Sequence, residues 1–240
     1  MKSMLKFDSW ETKTRSVSCP AKQTLPIVKI ISAVLLVRKV QLNPSVFLAH
    51  AKALESGLAK YQTRRMQDIH HPGGKLDGNH EKLFTGQLPT RFVIECVDND
   101  AFNGSYTKNP YNFKNFALSE ISIHLDSNTQ PIRPLKPNYA GHQYIQAFSS
   151  LFSGTRKENR DEGNDITRED YHRGYALYAS DLSPDLAEEG HFNLAMQGTV
   201  RVELKFRAAL PNTVTVVAYA EFENVIEIDR NRNVIYDFES

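Results

Sequence analysis

The chain has 240 residues, 29 Lys and Arg against 28 Asp and Glu, a net charge of +1, and 40% hydrophobic and 24% charged residues. That balance is globular, and it lacks the basic excess needed to coat nucleic acid or an anionic membrane. Two cysteines, Cys19 and Cys96, with no C-x-x-C, argue against a disulfide framework or a cysteine zinc site and point to a reducing compartment. The longest apolar run, Ile30 to Val37, falls short of the roughly 20 residues a bilayer helix needs. Met1 to Thr24 has no signal-type apolar region, so no secretion is expected.

Residues 1–26 lack periodicity and read as an irregular tail. From Ile27 to Leu42 both parities are apolar around Ile30–Val37, as in a strand covered on both faces. Asn43-Pro44 opens a short helix, with Asn43 as N-cap, Pro44 at N1 and Gly57 helping to end it. Tyr61 to Ile69 reads as a strand and His71 to His80 as a loop, followed by a β run over Arg91–Val97. Asp98 to Asn115 is a long loop anchored by aromatic residues. Leu118 to Leu125 alternates as a strand, and Tyr139 to Phe152 has helical spacing. Arg156 to Gly174 reads as a charged loop and Tyr175 to Leu182 as a strand.

The clearest signal is Val200, Val202, Leu204 and Phe206 alternating with Arg201, Glu203, Lys205 and Arg207, a half-buried antiparallel strand. After a turn at Leu210–Thr213, Val214 to Ile228 keeps one apolar parity. If straight it would reach roughly 50 Å, so a bend near Glu223-Asn224 is expected. No β-α-β alternation occurs. The pattern predicts a mainly β fold, an antiparallel jelly-roll sandwich with two short helices in the connections. It divides into the tail 1–26, one jelly-roll domain 27–236 and a C-terminal tail 237–240.

Candidate chemistry is sparse. Asp98-Asn99-Asp100 and Asp161 to Asp165 carry clustered oxygens, but neither has EF-hand spacing, and both read as turns that satisfy loop backbone. His70, His71 and His80 lack zincin spacing. No Gly-x-Ser-x-Gly elbow or phosphate-cradling loop occurs, and Cys96 reads as core. A cupin-type enzyme would need histidines and a carboxylate converging inside the barrel. The inward positions of Val200–Phe206 and Val214–Phe222 are apolar instead. No enzyme activity, cofactor or metal is expected.

Several long blocks carry a resemblance. They are Leu83-Phe-Thr-Gly-Gln-Leu-Pro-Thr-Arg91, Val97-Asp-Asn-Asp-Ala-Phe-Asn-Gly104, Lys108-Asn-Pro-Tyr-Asn-Phe-Lys114, Asp161 to Tyr171 and Tyr219 to Val234. Weaker similarity reaches back through Asn43-Pro-Ser-Val-Phe-Leu-Ala-His-Ala51. In this order they resemble the C-terminal half of the hexon-like double jelly-roll major capsid protein of polintons (Mavericks) and adintoviruses. The resemblance implies a structural shell protein whose partners are itself and other capsid subunits, in a trimeric capsomer. It implies no sequence-specific nucleic-acid binding and no membrane span. It places the protein in a virion capsid if functional, otherwise in cytoplasm or nucleus. Members carry two rolls per chain and this chain has room for one, so it reads as a truncated or integrated copy. The alternative is a host-retained jelly-roll module that binds a protein or glycan.

The matching blocks supply the candidates for loop ordering or subunit contact. In the first loop these are Asp98, Asn99, Asp100, Phe102, Asn103, Gly104, Asn109, Pro110, Asn112 and Phe113. In the second they are Asp161, Glu162, Gly163, Asn164, Asp165, Glu169, Asp170 and Tyr171. In the last strand and its turn they are Glu221, Phe222, Glu223, Asn224, Glu227, Asp229, Arg230 and Arg232. Asn99, Asn103, Asn112 and Asn164 are expected to hold loop backbone through their side chains.

Overall fold

The structure is a computed structural model that describes residues 3–7, 32–37, 39–73, 81–125, 134–158, 161, 163–183 and 195–236. In chain order the elements are β1 (Ser3–Phe7), β2 (Ala33–Val37), α1 (Pro44–Ser56), β3 (Ala59–Gly73), β4 (Glu81–Gln87), β5 (Arg91–Asp98) and α2 (Asn99–Asn103). They continue as β6 (Leu118–Leu125), α3 (Ile145–Gly154), α4 (Arg168–Gly174), β7 (Tyr178–Asp181), β8 (Gln197–Phe206), β9 (Val214–Ile228) and β10 (Val234–Tyr236).

The pairing is nested. β3 pairs with β9, β4 with β8 and β5 with β7, all antiparallel, and Ile121 of β6 bridges antiparallel to Leu135. From β3 to β9 the outermost strands pair and each next pair lies inside them, as in one long hairpin. Rolling that hairpin up adds the lateral contacts β5–β9 and β6–β8. The result is a five-stranded sheet, with β3, β9, β5 and β7 in that order and β10 paired to the far end of β9, and a second sheet of order β4-β8-β6. This is a jelly roll, with the Leu135 bridge standing where the eighth strand belongs.

The core lies between the sheets. Phe92, Ile94 and Cys96 of β5 and Val214, Val216, Ala218, Ala220 and Phe222 of β9 point inward and are buried. They meet Leu118, Ile121 and Ile123 of β6 and Val200, Val202 and Leu204 of β8. Phe84 and Phe222 meet edge-to-face across the sandwich, ring centroids 5.7 Å apart. The other parity of β6 and β8 is ionic. Glu120 takes Lys205 at 2.6 Å and Lys136 at 3.3 Å. Alternation along a strand thus becomes one dry face and one charged face.

Several expectations are corrected. Four helices occur among the described residues, not two: α2 and α4 lie in stretches that read as loops. Ser3–Phe7 is not irregular, because it pairs with β2. β2 is not covered on both faces, since Val34, Leu35 and Leu36 are at least half exposed. Residues 1–2, 8–31, 74–80 and 237–240 lie outside the described residues. At α1 the expectations hold: Asn43 caps it by accepting from the Ser45 amide, and Gly57 ends it, in extended backbone (φ −167°). β9 runs unbroken through Glu223-Asn224 because β3 pairs with it throughout. There the Thr63 hydroxyl donates to the Asn224 carbonyl at 3.3 Å. No helix among the described residues is long and apolar enough to cross a membrane.

Candidate functional site

Two of the three candidate groups meet. The first loop leaves β5 through α2 and is fastened at each step. Asp98 accepts from Lys114 at 3.0 Å, Asp100 from Lys108 at 3.1 Å, and Asn99 Oδ1 from the Thr215 hydroxyl at 2.9 Å. Phe102 lies against His70, centroids 4.9 Å apart, and Gly104 ends α2 with φ +99°, backbone that glycine adopts without strain. Asn109-Pro110-Tyr111-Asn112 is a turn closed by the Asn112 amide on the Asn109 carbonyl at 3.3 Å, and Asn109 Oδ1 takes the Tyr111 amide at 2.9 Å. Phe113 then pairs as a short bridge with Tyr175, donating to Gly174 O at 2.8 Å and accepting from the Ala176 amide at 3.0 Å.

That bridge brings in the second group. Thr167 caps α4 by accepting from the Asp170 amide at 3.1 Å, and its hydroxyl donates to the Asp170 carboxylate. Glu169 pairs with Arg173 one turn on, at 3.5 Å. Gly163 O accepts from Lys157 at 3.1 Å, and Asp165 turns the chain with φ +53°. Tyr171 is fully buried, its hydroxyl donating to Leu177 O at 3.1 Å. It stacks with Tyr144 and meets Phe148 edge-on, which joins α4 to α3. Tyr139 and Tyr178 share a hydroxyl bond of 2.6 Å nearby, and burial pushes the Tyr139 phenol up to about 12. Gly154 of α3 lies so close to β7 that a Cβ would sit 2.5 Å from the Ala179 backbone.

The asparagine expectation is partly corrected. Among the described residues, Asn99 Oδ1 bonds the Thr215 hydroxyl and not backbone, and buried Asn164 Nδ2 has no partner. Asn112 lies against Gly174, where a Cβ would come within 2.7 Å of its Oδ1. Asn103 is the last residue of α2. The backbone holder that the sequence reading missed is Asn115. It donates to His172 O at 2.8 Å and accepts from the Ala117 amide at 2.9 Å, across two consecutive left-handed residues, Phe116 and Ala117. An asparagine directly before an alternating strand was the available signal. Glu162 and Asp161 divide: Asp161 is exposed, and Glu162 lies outside the described residues. We expect both loops to be ordered; hydrogen exchange should show slow amides at Phe113, Tyr171 and Ala176, and fast exchange at all three would contradict this.

The third group lies elsewhere. Asn99 meets the start of β9, and Ile228 is 14 residues farther along, on the order of 45 Å. Phe222 belongs to the core. Glu221 sits between Arg64 (3.3 Å) and Arg91 (3.5 Å), its side chain 9% exposed. Arg91 is in register with Asp181, and Arg156 holds Asp181 and Ser183. Charges therefore alternate Arg64, Glu221, Arg91, Asp181, Arg156 across four strands and their flank. Burial alone would raise Asp181, but hydrogen bonds from Arg156 and Ser183 outweigh it and hold the carboxyl below its ordinary value. Glu221→Gln leaves Arg91 without its carboxylate. We expect a loss of about 1–3 kcal/mol in urea unfolding; an unchanged midpoint would show the ladder to be inert.

Beyond it, Gln87 donates to Glu223 O at 2.7 Å, Asn224 Oδ1 takes the Val225 amide, and Glu227 pairs with Lys60 at 2.9 Å. Asp229 accepts from both the amide and side chain of Asn233 at 2.8 Å, closing the turn to β10. Arg230 is exposed in that turn, and Arg232 lies over the Phe47 ring at 5.4 Å. Here the face that carries Phe222 continues outward as a row of Tyr61, Ile226 and Tyr236. Tyr61 and Tyr236 are more than half exposed, as are Val40, Leu48 and Val234 nearby in the chain, and no residue of α1 is buried. An isolated helix of this length is marginal in water.

No protein-family model matches the chain. An uncharacterised protein of Caenorhabditis elegans is 28% identical over 193 residues, covering 78% of this chain and 46% of that protein. This chain therefore spans less than half the length of the curated relative it matches. Among solved structures it is similar to a chain of the Sputnik virophage determined by cryo-EM, with 9% identity, 75% of this chain, 39% of that chain and a TM-score of 0.45. PBCV-1 VP54 fitted into a Sputnik reconstruction gives 12% identity, 83% and 55% coverage and a TM-score of 0.45. The mavirus major capsid protein gives 11%, 75%, 41% and 0.38. The jelly-roll assignment itself stands on the strand order.

Proposed function

We propose that the chain is a shell-forming structural protein: one roll of a hexon-like double jelly-roll major capsid protein of the polinton and adintovirus type, in a truncated or integrated copy. The observation that carries this reading is the rolled hairpin together with the exposed apolar side chains at its end, Phe47, Tyr61 and Tyr236. The chain enters the roll through α1 and leaves it through β10, so a preceding or following roll would be tethered beside Phe47, Tyr61 and Tyr236. Apolar surface of that kind marks an interface. The inward positions are aliphatic and aromatic, which supports a packed wall and not a reaction chamber. In this reading the partners are further capsid subunits, the location is the virion, and the chain has no catalytic role.

The coding sequence around this chain tests the reading. An adjoining frame that encodes a second set of alternating strands, intact or interrupted, is the expected result. A single-roll gene bounded by its own control elements, with no trace of another roll, would contradict it and support a binding module.

A further inference from the structure

β3 is 15 residues long and is the edge of its sheet: β9 pairs with one side of it from Ala59 to Gly73, and among the described residues no strand pairs with the other. Its outward parity, Gln62, Arg64, Met66, Asp68 and His70, is exposed. A long open edge is a template for another strand. We propose that a second copy of this chain occupies it, β3 pairing antiparallel with β3 about a twofold axis through Met66. This rests on the fold alone and not on a capsid role.

Charge selects that occupant and register. In an antiparallel pair centred on Met66, Arg64 faces Asp68 of the other copy, and Asp68 faces Arg64, so two opposite-charge pairs form. Gln62 faces His70, and Thr63 faces Ile69. Arg65 faces Gln67, the residue to which its Nη1 already donates within the strand at 3.2 Å, while its guanidinium lies over Phe222, 4.7 Å from the ring centre. A polar pair therefore meets a polar pair. Arg64 already holds Glu221, but a guanidinium has five donors and can serve a second carboxylate.

The neighbouring registers that keep the core faces together are poorer. Centring on Arg65 sets Arg65 against itself, and like charges opposite one another are destabilising. Centring on Gln67 sets Arg64 against His70 and Asp68 against Met66, so no ion pair forms. The arginines thus guard the edge against an arbitrary strand while matching a second copy. Such a contact is isologous and closes at two subunits. It joins the two β3-β9-β5-β7 sheets into one.

Cysteine cross-linking reads the register directly. Cys19→Ser is made throughout, and buried Cys96 is retained. Met66→Cys places two Cα atoms directly opposite, about 4.5–5.5 Å apart, inside the disulfide range. Asp68→Cys places its two copies four residues apart along the pair, on the order of 13 Å, out of range. Mild oxidation should give a covalent dimer with Met66→Cys and not with Asp68→Cys. Adding Asp68→Arg to Met66→Cys should cut the yield about tenfold, since both ion pairs become repulsions. Circular dichroism confirms that each variant is folded. Equal cross-linking at 66 and 68, cross-linking at neither, or no effect of Asp68→Arg would overturn the proposal.

Discussion

Replacing Tyr171 with alanine is expected to lower the unfolding free energy by about 3–5 kcal/mol, a large share of the roughly 5–15 kcal/mol that holds a typical domain. Tyr171 is fully buried and is the point at which the second loop enters the core. Its ring contacts Tyr144 and Phe148 of the α3 region, and its hydroxyl holds Leu177 just ahead of β7. Truncation removes the ring contacts and leaves a cavity that the neighbouring tyrosines cannot fill without giving up their own bonds. Tyr171→Phe separates the two contributions, since it keeps the ring and loses one hydrogen bond, about 1 kcal/mol. Urea denaturation measures both. A Tyr171→Ala midpoint near that of the parent would show that α4 is a surface appendage and not an anchor.

The second large effect is a pH dependence at Glu95. It lies on the outer face of β5 between Val93 and Val97, opposite Val217 of β9, and is half-buried there. Arg91, the nearest cation on its strand, is engaged by Glu221. Burial raises the Glu95 carboxyl from 4.5 to about 7. The folded protein therefore keeps this proton up to about pH 7, while the unfolded chain releases it near 4.5. Across that window the folded state binds more protons, so its contribution to stability is full below 4.5 and is lost as pH rises through 7. The total loss is on the order of 3 kcal/mol by about pH 8. Glu95→Gln is neutral at every pH and should be the more stable protein at about pH 8, with the difference vanishing at about pH 4. Parallel stability curves for the two proteins would rule this out.

Strand periodicity made much of the fold legible. Val200 to Phe206, Leu118 to Leu125 and Arg91 to Val97 became β8, β6 and β5 because alternate residues of each enter the core. The helix at Pro44 was legible from its cap. α4 was not read, although Thr167, the acidic pair Glu169-Asp170 and the basic pair His172-Arg173 form a complete set of end signals. Only Tyr171 and Gly174 of its residues are buried, so no apolar stripe announced it. The expected bend at Glu223-Asn224 failed for a different reason: β3 pairs with both residues and sets polar Arg64 and Thr63 opposite them, so the ladder continues straight through. The ladder from Arg64 to Arg156 could not be read at all. Its five members are scattered from position 64 to 221, and only register makes them neighbours.

The central claim is that the exposed apolar residues around Phe47, Tyr61 and Tyr236 form an interface. Light scattering behind a gel-filtration column, over a concentration series, tests it most directly when the parent is run beside a Phe47→Glu, Tyr236→Glu variant. The parent mass should climb with concentration without settling at a trimer, and the variant should stay at or below a dimer. A parent that remains monomeric at every concentration, a discrete trimer, or a variant that climbs as the parent does would contradict the account.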